Sequence, residues 1–519
     1  MVVKSNKQEM SNTTTNNNKR LAKNTIILYI RMIVVMFITL FTSRVILNAL
    51  GVEDFGIYNV IGGVVTMMAV VNNAMASATQ RYLTFELGKG DMLQFRKVFS
   101  TCMTIYILLA LFLLLFAETI GLWFVNNKLI ISPDRIIAAN IVYQFSIFSS
   151  ICAMIQIPYN AAVISHEKMN AFAYIGVIEA VAKLSIAYML LISPMDKLSL
   201  YGGLTFATSF AIFLTYKIYC ARKIQEASYV FMWDKKLTLQ LISYSGWNLF
   251  GAMAGVAKGQ GLNILINIYF GATVNAARGI AYQLNHAVTM LFSNFYTAVR
   301  PQITKYYAAN NLDEMYKLVY RSSKFSFFLI LIASLPLIIE TPAIIELWLK
   351  QVPEYAVTFV RIIVMISAID AMSMPIITTI HATGKIKFYQ FIVSTIILLI
   401  LPVSWSFLKL GFDAYSIFYV SLAINIIATF VRLAIANKNS GLPFWGYIKA
   451  VILPSVVVSI ISAIIPIITH KILAPSFTTT ILVCTISVIS VGVCGYFIGM
   501  DKKERKAIIN FISKKKKSL

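Results

Sequence analysis

Arg31, Arg44, Lys183, Lys258, Arg278 and Arg361 each lie inside a run of apolar residues long enough to cross a bilayer. A cation near the centre of such a helix costs about 2.5–3.5 kcal/mol on insertion scales. Six of them facing lipid would cost about 15–20 kcal/mol, more than the net stability of a typical fold. Some must therefore be paired or face water. Only two acids lie clearly within apolar runs, Glu179 and Asp370. Glu179 precedes Lys183 by one helical turn, the spacing of an ion pair. Asp370 falls on the opposite side of its helix from Arg361, so those two do not neutralise each other, and two roles stay open for it: a partner on a neighbouring helix, or ion coupling.

Arg31, Arg44, Lys258 and Arg278 stand in apolar runs that contain no Asp or Glu. Uncompensated cations lining a polar cavity suit an anion, and guanidinium suits phosphate because it donates two parallel charge-assisted bonds. The plainer alternative is that Arg44 and Arg278, nearer the outer ends of their helices, snorkel to the surface. Asn72, Asn73, Asn248, Asn263, Asn267 and Asn285 offer hydrogen bonds either to sugar hydroxyls or between helices. Gly251, Gly255 and Gly259 recur every four residues, a pattern for close packing or for a hinge.

The elements that position these residues are membrane helices. The chain of 519 residues is 58% hydrophobic and 13% charged, with mean hydropathy +0.75, a balance that a solvated surface does not allow. Windows of roughly 20 apolar residues predict fourteen spans. They are 24–50, 55–80, 98–120, 135–164, 169–193, 198–220, 238–269, 273–299, 322–345, 355–382, 386–408, 414–436, 448–470 and 476–499. An even number puts both termini on one side. Most of the 45 lysines and arginines fall in alternate connections, which places the termini in the cytoplasm by the positive-inside rule. The net charge of +24 is spread over loops rather than gathered on one soluble face, which argues against nucleic-acid binding. The five cysteines show neither metal nor disulfide spacing, and no metal or cofactor is expected.

An internal repeat divides the chain. Leu50-Gly51 recurs as Phe270-Gly271, Lys97 as Lys317, Ile120-Gly-Leu-Trp123 as Ile345-Glu-Leu-Trp348, and Pro158 with Lys168 as Pro375 with Lys385. Six spans per half is an even number, so the halves are parallel repeats around a central cavity. The expected organisation is a disordered N-terminus at 1–23, without the features of a signal peptide, a six-helix bundle at 24–220 and a cytoplasmic linker at 221–237. A second six-helix bundle at 238–436, two additional helices at 437–499 and a basic cytoplasmic tail at 500–519 complete it. The fold class is thus an all-α integral membrane protein of about fourteen transmembrane helices.

The pieces LNALGVEDFGIYNVIGG at 47–63, NIYFGATVNAARGIA at 267–281 and TAVRPQITKYYAANNLDEM at 297–315, with the ELW and PEYA pieces at 346–356, resemble one family in order and spacing. It is the multidrug/oligosaccharidyl-lipid/polysaccharide exporter superfamily, especially its polysaccharide-biosynthesis branch of Wzx-type O-antigen flippases. The resemblance covers nearly the whole chain. It implies a flippase, not an enzyme, that carries undecaprenyl-diphosphate-linked oligosaccharide across a bacterial inner membrane by alternating access. The implied partners are that lipid-linked substrate, membrane lipids, and the polysaccharide polymerase and chain-length machinery. Arg31, Arg44, Lys258 and Arg278 would hold the diphosphate, and Asn72, Asn73, Asn248 and Asn263 would contact glycan. The superfamily's drug and metabolite exporters, the main alternative, generally carry an acid in the first or seventh helix, and neither has one here. A membrane glycosyltransferase or polymerase would need paired carboxylates on a sizeable outer loop. The longest outer connections, 121–134 and 346–354, are too short for a catalytic domain.

Overall fold

The computed structural model describes the backbone at residues 2–66, 69–127, 131–502 and 504–505, and within these the side chains except at 2–19, 40, 43, 44, 47, 52, 59, 60, 62–66, 69–71 and 272. Among the described residues the regular structure is helical throughout. In chain order the helices are α1 Val2–Thr66, α2 Ala69–Lys89, α3 Met92–Phe116, α4 Leu122–Asn127, α5 Ile136–Ser165, α6 Met169–Ile192 and α7 Lys197–Lys223. They continue with α8 Lys235–Ala308, α9 Leu312–Ile339, α10 Thr341–Leu349, α11 Ala356–Thr383, α12 Lys387–Leu398, α13 Ile400–Lys409, α14 Ser416–Ser440, α15 Phe444–Tyr447, α16 Leu453–Ile472 and α17 Phe477–Cys494. The backbone of α1 starts within the stretch 1–23 that was expected to be disordered.

Twelve described helices are long and apolar enough to cross a membrane. Of the other two predicted spans, 55–80 contains residues outside the described ones, and 273–299 is helical but too polar to qualify. That polarity comes from Asn275, Arg278, Gln283, Asn285, His286 and Asn294.

The repeat reappears in the backbone. α1 and α8 are each broken by one glycine, Gly51 (φ 78, ψ 173) and Gly271 (φ 77, ψ −173), in a region of backbone space that glycine alone populates. The turn after α2 uses Gly90 at φ 78 and its counterpart uses Asn310 at φ 54. Likewise Glu167 at φ 57 is matched by Gly384 at φ 77. Pro158 in α5 and Pro375 in α11 occupy matching helices.

Packing divides the chain into two units, Ala22–Leu249 and Phe250–Leu519, the latter together with Met1–Leu21. The boundary falls inside α8 rather than in the linker 221–237, because Leu237 and Leu241 are buried in the core of the first unit with Phe95, Phe99, Tyr106 and Tyr159. The linker is moored there too, with Ile224 and Ala227 in the same core and the Val230 amide donating to Ser100 Oγ at 3.3 Å. At the opposite end of the first unit, Arg135 Nε donates to Asp54 Oδ1 at 2.8 Å and its Nη1 to Asp196 Oδ2 at 2.7 Å. Asp196 also caps α7 by accepting from the Ser199 amide at 2.8 Å. Burial pushes the Asp196 carboxyl up, but Ser199 and Arg135 outweigh it and hold the group below the usual carboxylate range.

In the second unit α16 and α17 pack on α9 through Phe328, Leu331, Leu335, Val458, Val483 and Val491. Polar contacts add to this at the middle of α9 and just past its C-terminal end. Lys324, 4% exposed, pairs with Glu504 at 2.9 Å, and Glu340 accepts from Thr480 at 3.1 Å and lies 2.6 Å from His470 Nδ1. The serines along α16 are partly covered. Ser455 and Ser462 are buried, and Ser490 of α17 donates to the Ser462 carbonyl at 2.8 Å.

Candidate functional site

In the second unit the break at Gly271 turns α8 back beside itself, so that residues near 260 face residues near 278. Arg278 Nη2 donates to the Gly259 carbonyl at 2.7 Å and Nη1 to Asn263 Oδ1 at 3.3 Å, while the guanidinium carbon lies 4.6 Å from the Tyr282 ring centre. Its Nε is buried without a hydrogen-bond partner. Arg278 therefore does not simply snorkel. It is held between two helical arms with its Nε donor to spare.

Lys258, half-buried one turn before Asn263, has Arg278, Arg432 and Asp370 as its charged neighbours. Asp370 on α11 pairs with Arg432 on α14, Nη1 to Oδ1 at 3.5 Å. Arg432 is 6% exposed, lies near Tyr389 of α12, and keeps its Nε buried without a partner. The cluster thus gathers three cations against one carboxylate. Lys258, Arg278, Asn263 and Asp370 were expected from sequence. Arg432 was not, because it lies so near the end of its span expected to be cytoplasmic that it reads as one more positive-inside residue. The signal that could have found it is the unanswered Asp370, which needs a basic partner on a neighbouring helix.

Arg361 stands apart from this cluster. Its Nε donates to the Ile338 carbonyl at 2.9 Å and so closes the C-terminal end of α9, a structural task. Gly251 lets Gln390 approach so closely that a Cβ there would lie 2.2 Å from its Oε1. Gly255 and Gly259 face open space, so the three glycines do not form one packing seam. Asn267 is exposed, and Asn285 is half-buried with Oδ1 unpartnered.

In the first unit Arg31 lies 4.2 Å over the Phe172 ring and against Gly176, with Tyr216 and Glu179 as electrostatic neighbours and its Nε unpartnered. Glu179 binds Lys183 at 2.7 Å, the pair expected from spacing, with both side chains well exposed. Arg31 is consequently less isolated from carboxylates than its own span suggested: the acid comes from α6. Asn72 is half-buried with Oδ1 unpartnered, Asn73 is exposed and Asn248 is buried. The side chain of Arg44 lies outside the described residues. A further buried cation, Arg81, lies just past the predicted span 55–80. It sits 4.6 Å from the Tyr82 ring centre, 4.5 Å from Phe85 and 5.9 Å from Tyr244.

Residues 259–406 match the sequence profile of the MatE family. No curated protein matches the chain. Among solved structures, an outward-facing multidrug resistance MATE family transporter of the MOP superfamily matches with TM-score 0.68 at 12% identity, covering 82% of this chain and 96% of that one. MATE in the bent conformation matches with TM-score 0.70 at 12% identity, over 82% and 97%. A MOP superfamily transporter from Pyrococcus furiosus Vc1 (DSM3638), described as having a binding pocket of reverse polarity that suggests a different function, matches with TM-score 0.66 at 12% identity, over 82% and 96%. The chain therefore has the fold of the MATE transporters, with a MatE-family stretch spanning most of α8 to α13.

Proposed function

We propose that the protein is a flippase that moves undecaprenyl-diphosphate-linked oligosaccharide from the inner to the outer leaflet of a bacterial inner membrane, with both termini in the cytoplasm, by alternating access. The observation that carries this reading is the cluster of Lys258, Arg278 and Arg432 facing a single carboxylate inside an apolar helical unit. Buried cations in such excess make a poor site for a drug cation and a good one for a diphosphate, which supplies the missing negative charge and accepts guanidinium forks. Arg278 and Arg432 each retain a buried donor without a partner, which a phosphate oxygen would satisfy. Asn263 stands beside them to meet glycan or phosphate. Within the first unit, taken by itself, Arg31 is held over Phe172 and tempered by Glu179. The polymerase and chain-length machinery would then use the flipped lipid.

The fold likeness also suits a cation-coupled exporter, since one matched structure is described as a multidrug resistance transporter. Against that reading stands Asp370, which is answered by Arg432 rather than left open for a coupling cation. Reconstitution in liposomes with labelled lipid-linked oligosaccharide separates the two. The flippase reading expects leaflet exchange that depends on the protein. No exchange, together with proton- or sodium-driven uptake of a cationic drug, would replace it with the exporter.

A further inference from the structure

The Asp370–Arg432 pair has the geometry of a replaceable contact. A single bond of 3.5 Å is longer than an ordinary charge-assisted hydrogen bond and uses one oxygen, whereas guanidinium and carboxylate at their best meet through two bonds below 3 Å. Arg432 lies deep, its side chain 7% exposed, while the Asp370 side chain is 37% exposed and stands on the open side of the pair. A carboxylate that open is far cheaper in water than in lipid, so the open side is a watery one. Lys258 is a charged neighbour of the same carboxylate without bonding to it.

Resting on the reading of this cluster as an anion site, we propose that Asp370 is a built-in counter-anion that holds Arg432 and Lys258 until a diphosphate displaces it. The incoming group offers several oxygens to the fork that Asp370 meets with one. It also satisfies the Nε atoms of Arg432 and Arg278 that the resting protein leaves unpartnered. Because the carboxylate competes for the same cations, its return assists release, and the cluster never stands bare of negative charge between turnovers. Asp370 is in this account a positioning residue, and Arg432 a ligand of the anion.

The test is binding of inorganic pyrophosphate to the full chain in nanodiscs. Asp370→Asn removes the competitor and is expected to bind pyrophosphate at least tenfold tighter than wild type. Arg432→Lys keeps the charge but loses the fork and is expected to bind at least fivefold weaker. A purely structural pair predicts the opposite for Asp370→Asn, since loosened cations would bind the probe less well. The proposal is overturned if Asp370→Asn binds pyrophosphate no tighter than wild type, if Arg432→Lys binds it equally well, or if wild type and Asp370→Asn both fail to bind it. Should the expected pyrophosphate affinities hold while labelled lipid-linked oligosaccharide stays in its leaflet, the counter-anion stands and the flippase reading falls.

Discussion

Replacing Arg278 by alanine distinguishes a residue kept for a ligand from one kept for the fold. The wild-type guanidinium makes one short bond to the Gly259 carbonyl and one longer bond to Asn263, and lies near the Tyr282 ring. A charge-assisted bond contributes about 1.5–3 kcal/mol, the longer one less, and the ring contact about 0.5–1 kcal/mol, so the lost contacts amount to about 3–5 kcal/mol. Against this, alanine removes a cation whose placement in a membrane helix costs about 2.5–3.5 kcal/mol. The Gly259 carbonyl is helical and keeps its backbone donor. The two terms nearly cancel, leaving a net loss of about 0–2 kcal/mol. Unfolding by sodium dodecyl sulfate in mixed micelles measures it, beside pyrophosphate binding by the same preparations. The expected outcome is near-native stability with at least tenfold weaker binding. A loss above about 4 kcal/mol with unchanged binding would show that Arg278 is a staple between the two arms of α8, and would remove it from the site.

Lys324→Met should cost about 3–5 kcal/mol by leaving Glu504 buried without its main partner, and Lys324→Met with Glu504→Leu should recover most of that, read in the same micelle titration. Gly271→Ala and Gly51→Ala should each cost about 1–3 kcal/mol from backbone strain alone, because a Cβ at either position meets no atom within 4 Å. Asp196 has a depressed folded-state pKa, so its contribution is present above the ordinary carboxylate pKa of about 4 and is lost as pH falls through its folded value. Thermal melts of wild type should accordingly weaken below about pH 4, and Asp196→Asn should flatten that part of the profile.

Helix number and the repeat were legible because both rest on local chemistry. Apolar length marks a span, and Gly51 and Gly271 mark breaks since no other residue sits in their conformation at low cost. The Glu179–Lys183 pair was legible from its spacing. What lay hidden depends on contacts between helices distant in sequence. Arg432 reads as a positive-inside residue until α14 is packed against α11 and brings it to Asp370. Arg361 looks like a site residue until the end of α9 is seen to need a donor for the Ile338 carbonyl. Arg31 seemed to lack a carboxylate because its acid, Glu179, is carried by α6. Leu237 and Leu241 come at and just after the end of a polar linker, so nothing in their local sequence shows that they belong to the preceding core.

Leaflet exchange of labelled undecaprenyl-diphosphate-linked oligosaccharide in liposomes, compared between wild type and Lys258→Gln, tests most directly whether the cation cluster carries the diphosphate. Among the described residues Lys258 makes no direct ion pair, so its neutral replacement should leave the fold intact and slow exchange at least tenfold. Exchange at the wild-type rate by a variant present in equal amount would contradict the account.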